Sequence, residues 1–234
     1  MTTARSLSLF LPAYNEAPLI ESTVRKAVAA LEAICDDFEV IVIDDGSADA
    51  TGTIADGLAA ADRRVRVVHH QGNQGYGQAL RTGFAAGTKD VVGYTDIDEP
   101  VDLREIEVAL RHLETHDLVI GCRLDPYGTF RRRMFTWGYN RLVRVLFGVR
   151  VRDINFSFKF IRRAALQAIE LSADSVFIDG ELLVEARRLG LSLYEMPLHE
   201  QGRTSGTSHF NGLRPAAHAL REIMRYRVRR LWRR

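Results

Sequence analysis

Asp96-Ile97-Asp98 follows the apolar run Asp90 to Thr95. Two carboxylates so spaced suit one hard divalent cation, Mg2+ or Mn2+, which can also take the oxygens of a phosphate-bearing ligand and neutralise their charge. Acids at a strand end also cap helices, so the pattern alone has two readings. A second pair, Asp44-Asp45, closes the β-branched run Phe38 to Ile43 and precedes Gly46-Ser47. That stretch reads either as ligand-binding acids or as a turn before a helix that Asp49 caps.

The elements that must position these acids alternate. Ser6 to Pro12 predicts a buried strand, and Pro18 to Glu32 carries Leu19, Val24, Val28 and Leu31 at amphipathic-helix spacing. Phe38 to Ile43 and a helix to about Ala61 form a second such unit. Val65 to Val68, the glycine-spaced loop Gly72 to Gly77 with a helix from about Gln78, and the strand Asp90 to Thr95 continue the series. The pattern extends through a helix over Leu103 to Glu114 and a strand over Asp117 to Cys122. This predicts an α/β fold with a mainly parallel central sheet and helices on both faces. In such sheets ligands bind beyond the carboxyl ends of the strands, where Asp44, Asp45, Asp96 and Asp98 are all expected. Past Arg123 the alternation gives way to an arginine-rich helix (Arg131 to Phe147), an extended stretch (Asp153 to Ile161), a helix (Asp179 to Gly190) and a strand (Ser192 to His199).

With 234 residues, 46% of them apolar, the chain fits one hydrophobic core. Cys35 and Cys122 are far apart and suggest neither a disulfide framework nor zinc, as in a reducing cytoplasm. Pro12 and Asn15 interrupt the N-terminal apolar run before a leader or a membrane span would form. The net charge of +2 hides an asymmetry. Arg123 to Arg163 and Arg214 to Arg234 are strongly basic, so one face is expected to meet phosphate, phospholipid or nucleic acid. No nucleic-acid-binding module is recognisable.

Pro12-Ala13-Tyr14-Asn15-Glu16, Val42 to Ser47 and Asp96-Ile97-Asp98 stand in an order that resembles family 2 glycosyltransferases. The likeness continues through Asn73 to Ala79, Gly121-Cys122-Arg123, Asp153 to Lys159, Phe177 to Leu182 and Arg203 to Ser208, about residues 6 to 210. Arg123 with Arg131-Arg132-Arg133, Thr136 and Asn140 narrows it to the dolichyl-phosphate mannose synthase-like, polyprenyl-phosphate branch. The resemblance implies a GT-A fold in one domain over 1–210, with a donor half to about 122 and an acceptor half from 123. A basic amphipathic helix over 211–234 would follow. It further implies inverting transfer from a UDP- or GDP-linked sugar to a polyprenyl or dolichyl phosphate at the inner face of the membrane. The protein would be cytoplasmic and peripheral there, alone or beside a membrane-spanning partner.

By the same resemblance Pro12, Tyr14, Glu16, Asp44, Asp45 and Asp96 bind the nucleotide, and Asp96 and Asp98 hold the metal. Arg123, Arg132, Thr136 and Arg203 orient the acceptor phosphate. A phosphate nucleophile is already ionised and needs positioning more than a base. Were the acceptor a hydroxyl of a soluble sugar or metabolite, Asp179 or Glu181 would be the candidate base; otherwise they are acids favoured at a helix start. A non-catalytic membrane-surface or partner-binding protein on the same fold is a third alternative. The branch's Ser-Gly-Phe-Arg is here Phe156-Ser157-Phe158-Lys159, and Pro100 stands where a glutamine follows the acidic pair. Met134, Trp137, Leu142, Val145, Leu146 and Val149 suit either a core or an acyl boundary. Leu220, Ile223, Met224, Val228 and Leu231 are expected near one face of the C-terminal helix, suiting an interfacial or a packed helix.

Overall fold

In the computed structural model, residues 6–98, 101–124, 130–199 and 213–231 are described. The strands are β1 (Ser6–Ala13), β2 (Asp37–Asp44), β3 (Val65–His69), β4 (Val91–Thr95), β5 (Leu118–Arg123), β6 (Phe158–Arg162) and β7 (Leu193–Leu198). The helices are α1 (Ala17–Ile34), α2 (Thr51–Ala61), α3 (Tyr76–Ala86), α4 (Glu105–His112), α5 (Phe130–Phe147), the single turn α6 (Arg163–Leu166), α7 (Phe177–Arg188) and α8 (Leu213–Leu231). One seven-stranded sheet runs β3-β2-β1-β4-β6-β5-β7. All neighbours are parallel except β6, which is antiparallel to both β4 and β5. The expected extended stretch from Asp153 yields a strand only from Phe158; Asp153 to Ser157 form the connection that lets β6 enter against the direction of its neighbours.

Alternation along each strand divides the apolar residues between two layers. Leu7, Leu9, Leu11, Val40, Val42, Phe158 and Phe160 pack on one side with Ile20, Val24, Leu31, Ile106 and Leu110 of α1 and α4. Phe10, Ile41, Ile43, Tyr94, Ile120 and Ile161 pack on the other with Leu80, Phe84, Val143, Ile178, Leu182, Ile223 and Tyr226. Helices therefore cover both faces, and the carboxyl ends of β1, β2, β3 and β4 share one edge.

Two loops at that edge are tied together by short side chains. Asn15 adopts a positive φ of 57°, tolerable for a residue that bonds its surroundings locally. Its Oδ1 accepts from Ala48 N at 2.8 Å, while its own N–H donates to Ser47 Oγ at 3.0 Å. Asp49, expected to cap α2, instead stands one residue before its N-cap, Ala50, and ties two helix starts together: it accepts from Thr51 N at 3.0 Å and from Ala17 N, at the start of α1, at 3.1 Å. The helix expected from Gln78 begins at Tyr76, so Gly77 lies in its first turn. A Cβ there would come within 2.4 Å of the Asp174 carbonyl carbon; the glycine answers a close backbone approach.

At the opposite edge, buried Glu39 accepts hydrogen bonds from Ser8 Oγ at 2.7 Å, Thr88 N at 2.9 Å, Thr88 Oγ1 at 2.7 Å and Arg66 at 2.6 Å. Burial works to raise its carboxyl, but the bonds from Thr88, Ser8 and Arg66 outweigh it and lower it from 4.5 to about 2. A depressed carboxylate stabilises the fold above its unfolded pKa, and that contribution fades as pH falls through the folded one. Glu39→Gln is accordingly expected to cost roughly 1–3 kcal/mol near pH 7. Urea titrations should show the gap between variant and parent closing from about pH 4.5 toward pH 2.

Candidate active site

β4 ends at Thr95, and Asp96, Ile97 and Asp98 leave it for the edge shared by β1 and β2. Ile97 is buried and its carbonyl accepts from Thr23 Oγ1 of α1 at 2.8 Å. That anchor sets the flanking acids, both half-buried, on either side of a fixed point. Loss of solvation and the Asp98 carboxylate, with a further push from Asp179, raise the Asp96 carboxyl to about 7 against a hydrogen bond from Ser157 and the pull of Lys159. Two hard oxygen donors under mutual repulsion are the chemistry a divalent cation relieves. The residues present therefore fit one.

Behind Asp96 lies a buried polar cluster. Lys159 of β6 and Asp179 of α7, with side chains 1% and 2% exposed, pair at 2.8 Å. The ammonium also donates to Phe156 O at 2.6 Å and Tyr94 Oη at 3.1 Å. The Tyr94 hydroxyl donates to Asp179 Oδ1, and Tyr76 Oη reaches Asp179 Oδ2 at 3.5 Å. Register explains the meeting, since Lys159 stands opposite Tyr94 in the β4–β6 pair. Burial first, then the charges of Asp179 and Asp96, push the Tyr76 hydroxyl well up, so the residue opening α3 shares the field of Asp96.

The Asp179 charge thus acts on Asp96, whereas Glu181 is spent elsewhere. Its carboxylate accepts from Ser172 N and Ala173 N, both at 2.8 Å, and from Ser172 Oγ at 2.7 Å. It anchors that turn and has a structural occupation. Of the two candidate bases, Asp179 is the one whose charge bears on Asp96.

On the β2 side, Asp44 accepts from Ser47 N at 3.0 Å and bonds His69 Nδ1 at 2.8 Å. Burial works to raise this carboxyl, but the bonds from Ser47 and His69 hold it below its ordinary value. Asp45 bonds His70 Nδ1 at 2.7 Å and accepts from Gln74 N at 2.8 Å and Gly75 N at 2.9 Å. His70 Nε2 reaches Thr82 Oγ1 of α3 at 2.9 Å. Gly46, at φ 69°, packs against the same loop, where a Cβ would lie 2.4 Å from the Gly72 carbonyl carbon. The Asp44-Asp45 pair is therefore both a strand-end acid pair and the clasp of the glycine loop. Tyr14 and Glu16 are half-buried in the neighbouring β1–α1 loop, and Pro12 is half-buried at the end of β1.

On the far side, Arg123 closes β5. Its guanidinium pairs with Asp153 and stacks 4.6 Å over the Phe156 ring. Asn140 of α5 donates to Arg152 O at 2.8 Å and joins that helix to the same segment. Thr136 is half-buried on α5. The Arg132 side chain and all of Arg203 lie outside the described residues, as does Pro100. The α5 stripe divides: Val149 is buried and Leu142 and Leu146 pack on the core, while Met134 (53%), Trp137 (65%) and Val145 (68%) are exposed. On α8, Ala219, Ile223 and Tyr226 face inward, whereas Leu220, Met224 and Val228 stay exposed among Arg221, Arg225, Arg227 and Arg229. Ile223 therefore parts from the face on which it was expected, because Tyr226 and Phe177 offer it a core.

His69, His70 and Tyr94 had no role assigned from sequence, and Ser157 and Lys159 entered only as positions of the Phe156-to-Lys159 motif. A signal existed for the histidines: a parallel β2–β3 pair sets His69 opposite Asp44, and the strand order made that pairing inferable.

A family model for glycosyl transferase family 2 matches residues 8–170. The chain belongs to that family. This family 2 glycosyltransferase is 35% identical over 230 residues to the polyprenol monophosphomannose synthase of Mycolicibacterium smegmatis, with 90% of this chain and 82% of the relative covered. It is 31% identical over 216 residues to the undecaprenyl-phosphate mannosyltransferase of Micrococcus luteus, with 86% of each covered. A 38% match over 202 residues to glycosyltransferase AglD of Haloferax volcanii covers 82% of this chain. The chain spans about a third (32%) of that relative's length. Crystal structures of glucosyl-3-phosphoglycerate synthase from Mycobacterium tuberculosis also match. The complex with phosphoglyceric acid gives a TM-score of 0.71 at 24% identity, covering 94% of this chain and 80% of the other. The complex with Mn2+, UDP and glucosyl-3-phosphoglycerate gives 0.68 at 23%, covering 94% and 77%. At that identity they speak for the fold, which is the expected GT-A arrangement. Among the described residues no helix is long and apolar enough to cross a membrane.

Proposed function

We propose that this glycosyltransferase moves a sugar from a UDP- or GDP-linked donor to a polyprenyl phosphate at a membrane surface, with inversion at the anomeric carbon. The observation that carries the reading is the outward face of α5 and α8, where Met134, Trp137, Leu220, Met224 and Val228 are exposed among arginines. Apolar side chains interleaved with cations suit the boundary where a lipid phosphate sits. The relatives named for polyprenyl-phosphate acceptors support it.

Asp96 and Asp98 would hold a divalent cation, Mg2+ or Mn2+, which when bound neutralises charge on the leaving diphosphate. Pro12, Tyr14, Glu16, Asp44 and Asp45 line the nucleotide side. The glycine loop clasped by Asp45 forms one wall there. Arg123 holds the acceptor phosphate for in-line attack, with Arg132, Thr136 and Arg203 assigned to the same task; Asp153 and Phe156 keep its guanidinium from swinging away. The phosphate oxygen carries its own charge, so single displacement needs no base and inverts the centre. The chain works from the cytoplasmic face as a peripheral protein.

One observation favours a second reading, transfer to a hydroxyl of a soluble metabolite: Asp179 sits close enough to Asp96 to raise its carboxyl. The test is to incubate the protein with labelled UDP- and GDP-sugars, a short polyprenyl phosphate and Mg2+ or Mn2+, and to measure label entering the organic phase. Lipid- and metal-dependent label supports the proposal. Turnover on soluble acceptors without lipid, lost in Asp179→Asn, supports the second reading instead.

A further inference from the structure

Glu222 is the one acid among residues 213–234, in a helix otherwise crowded with arginine. An acid so placed would ordinarily pair with cations three or four residues away. Here it turns inward. Its side chain is 12% exposed, with His218 at 3.9 Å. Oε1 accepts from Asp174 N at 2.9 Å, and Oε2 accepts from Ser175 N at 3.1 Å and from the Ser175 hydroxyl. Ser175 Oγ in turn accepts from Phe177 N, the first residue of α7, at 3.1 Å.

The turn that Glu222 caps bears directly on the glycine loop. Asp174 O accepts from Gly77 N at 3.2 Å. The Asp174 carboxylate pairs with Arg81 of α3 at 2.7 Å. The near contact at Gly77 leaves no slack between the two backbones. The loop is therefore clamped on one side by Asp45, through Gln74 N and Gly75 N, and on the other by the 174–175 turn. Between the clamps stands Tyr76, whose hydroxyl reaches Asp179 and lies in the field of Asp96.

We propose that Glu222 is a positioning residue for the donor site. It makes α8 part of the wall against which the nucleotide diphosphate binds, acting through the 174–175 turn and the glycine loop. The proposal rests on the reading above, in which that loop flanks the donor. A carboxylate on one helix gathering three donors from a single turn is a strong device for holding that turn. Its loss frees the turn without touching any group that meets substrate.

The test compares Glu222→Gln with the parent protein, full length, by hydrogen exchange at residues 77, 174 and 175 and by calorimetric titration of UDP and of GDP with Mn2+. Exchange at those three amides is expected to quicken about tenfold or more, and the nucleotide Kd to rise about 5- to 10-fold. The KM for the polyprenyl phosphate acceptor should stay unchanged. Ser175→Ala, which removes the hydroxyl arm of the cap together with the bond from Phe177 N but keeps both backbone arms to Glu222, should move the same readouts less and serves if the glutamine variant fails to fold. Unchanged exchange overturns the mechanical link. Faster exchange with unchanged nucleotide affinity overturns the proposal by separating the loop from the donor site. A loss of active fraction with both KM values and the nucleotide Kd unmoved reduces Glu222 to a stability residue and also overturns it.

Discussion

Asp98→Asn is expected to lower the rate of sugar transfer by about 10^2–10^3-fold, the usual cost of losing one preorganised electrostatic contact to a developing charge. The side chain is half-buried beyond the end of β4, beside the backbone that Thr23 anchors through Ile97, and the substitution keeps its shape while removing its charge. Circular dichroism and the thermal midpoint should be close to the parent's, while calorimetric titration with Mn2+ and nucleotide shows weakened binding. Asp96→Asn should lose activity to a similar degree but differ in stability. With its carboxyl raised to about 7 by burial and by Asp98, the folded protein binds a proton that the unfolded chain releases near 3.8. Stability therefore falls as pH rises between those values, and the neutral amide escapes that loss. In chelator-containing buffer at pH 8 the Asp96→Asn protein should melt no lower than the parent. A variant that keeps full activity would remove the acidic pair from the mechanism.

The second large effect falls on Lys159. Its ammonium is enclosed with three acceptors, the Asp179 carboxylate, the Tyr94 hydroxyl and the Phe156 carbonyl. Lys159→Met leaves the Asp179 charge buried without its counterion, a situation that typically costs about 3–5 kcal/mol. Adding Asp179→Asn removes the orphaned charge. The double variant should recover most of the loss, because replacing both partners of a buried pair is far milder than replacing one. Urea unfolding of the parent, the two single variants and the double variant closes the cycle. A Lys159→Met cost below about 1 kcal/mol would mean that the pair is solvated and the cluster behind Asp96 is not held as described.

Most of the sheet was legible because β-branched runs ended at turn residues in strict alternation with amphipathic stretches. Six strands were expected within a few residues of where they lie. The strand β6 was harder, since Phe158 to Arg162 carries Lys159 in a buried position, which no periodicity rule anticipates. The acidic pairs were visible as motifs. Their distinct surroundings were not, because His70 and Gln74 N reach Asp45, and Thr82 reaches His70, only once β2, β3 and α3 are side by side. The same holds for Asp179 and Glu181: two residues apart in one helix, they turn to different neighbours, and one becomes a loop anchor. On α5 and α8, spacing identified apolar stripes but could not say which members face the core. That choice was made by Phe147, Phe177 and Tyr226, whose rings meet edge-on or tilted at 5.6–6.2 Å and claim Ile223.

β6 comes late in the chain yet lies between β4 and β5. A polypeptide ending at residue 123 would hold β1 to β5, but β5 would have neither β6 nor β7 beside it. Such a truncated chain cannot close its own sheet, and nor can the remainder. Expressed as two pieces, the protein should stay open-edged and prone to association until the second piece is supplied, and regain its structure by strand insertion when both are present. During synthesis the same arithmetic applies: the half that carries the acidic pairs has to wait for about forty further residues before its sheet is continuous.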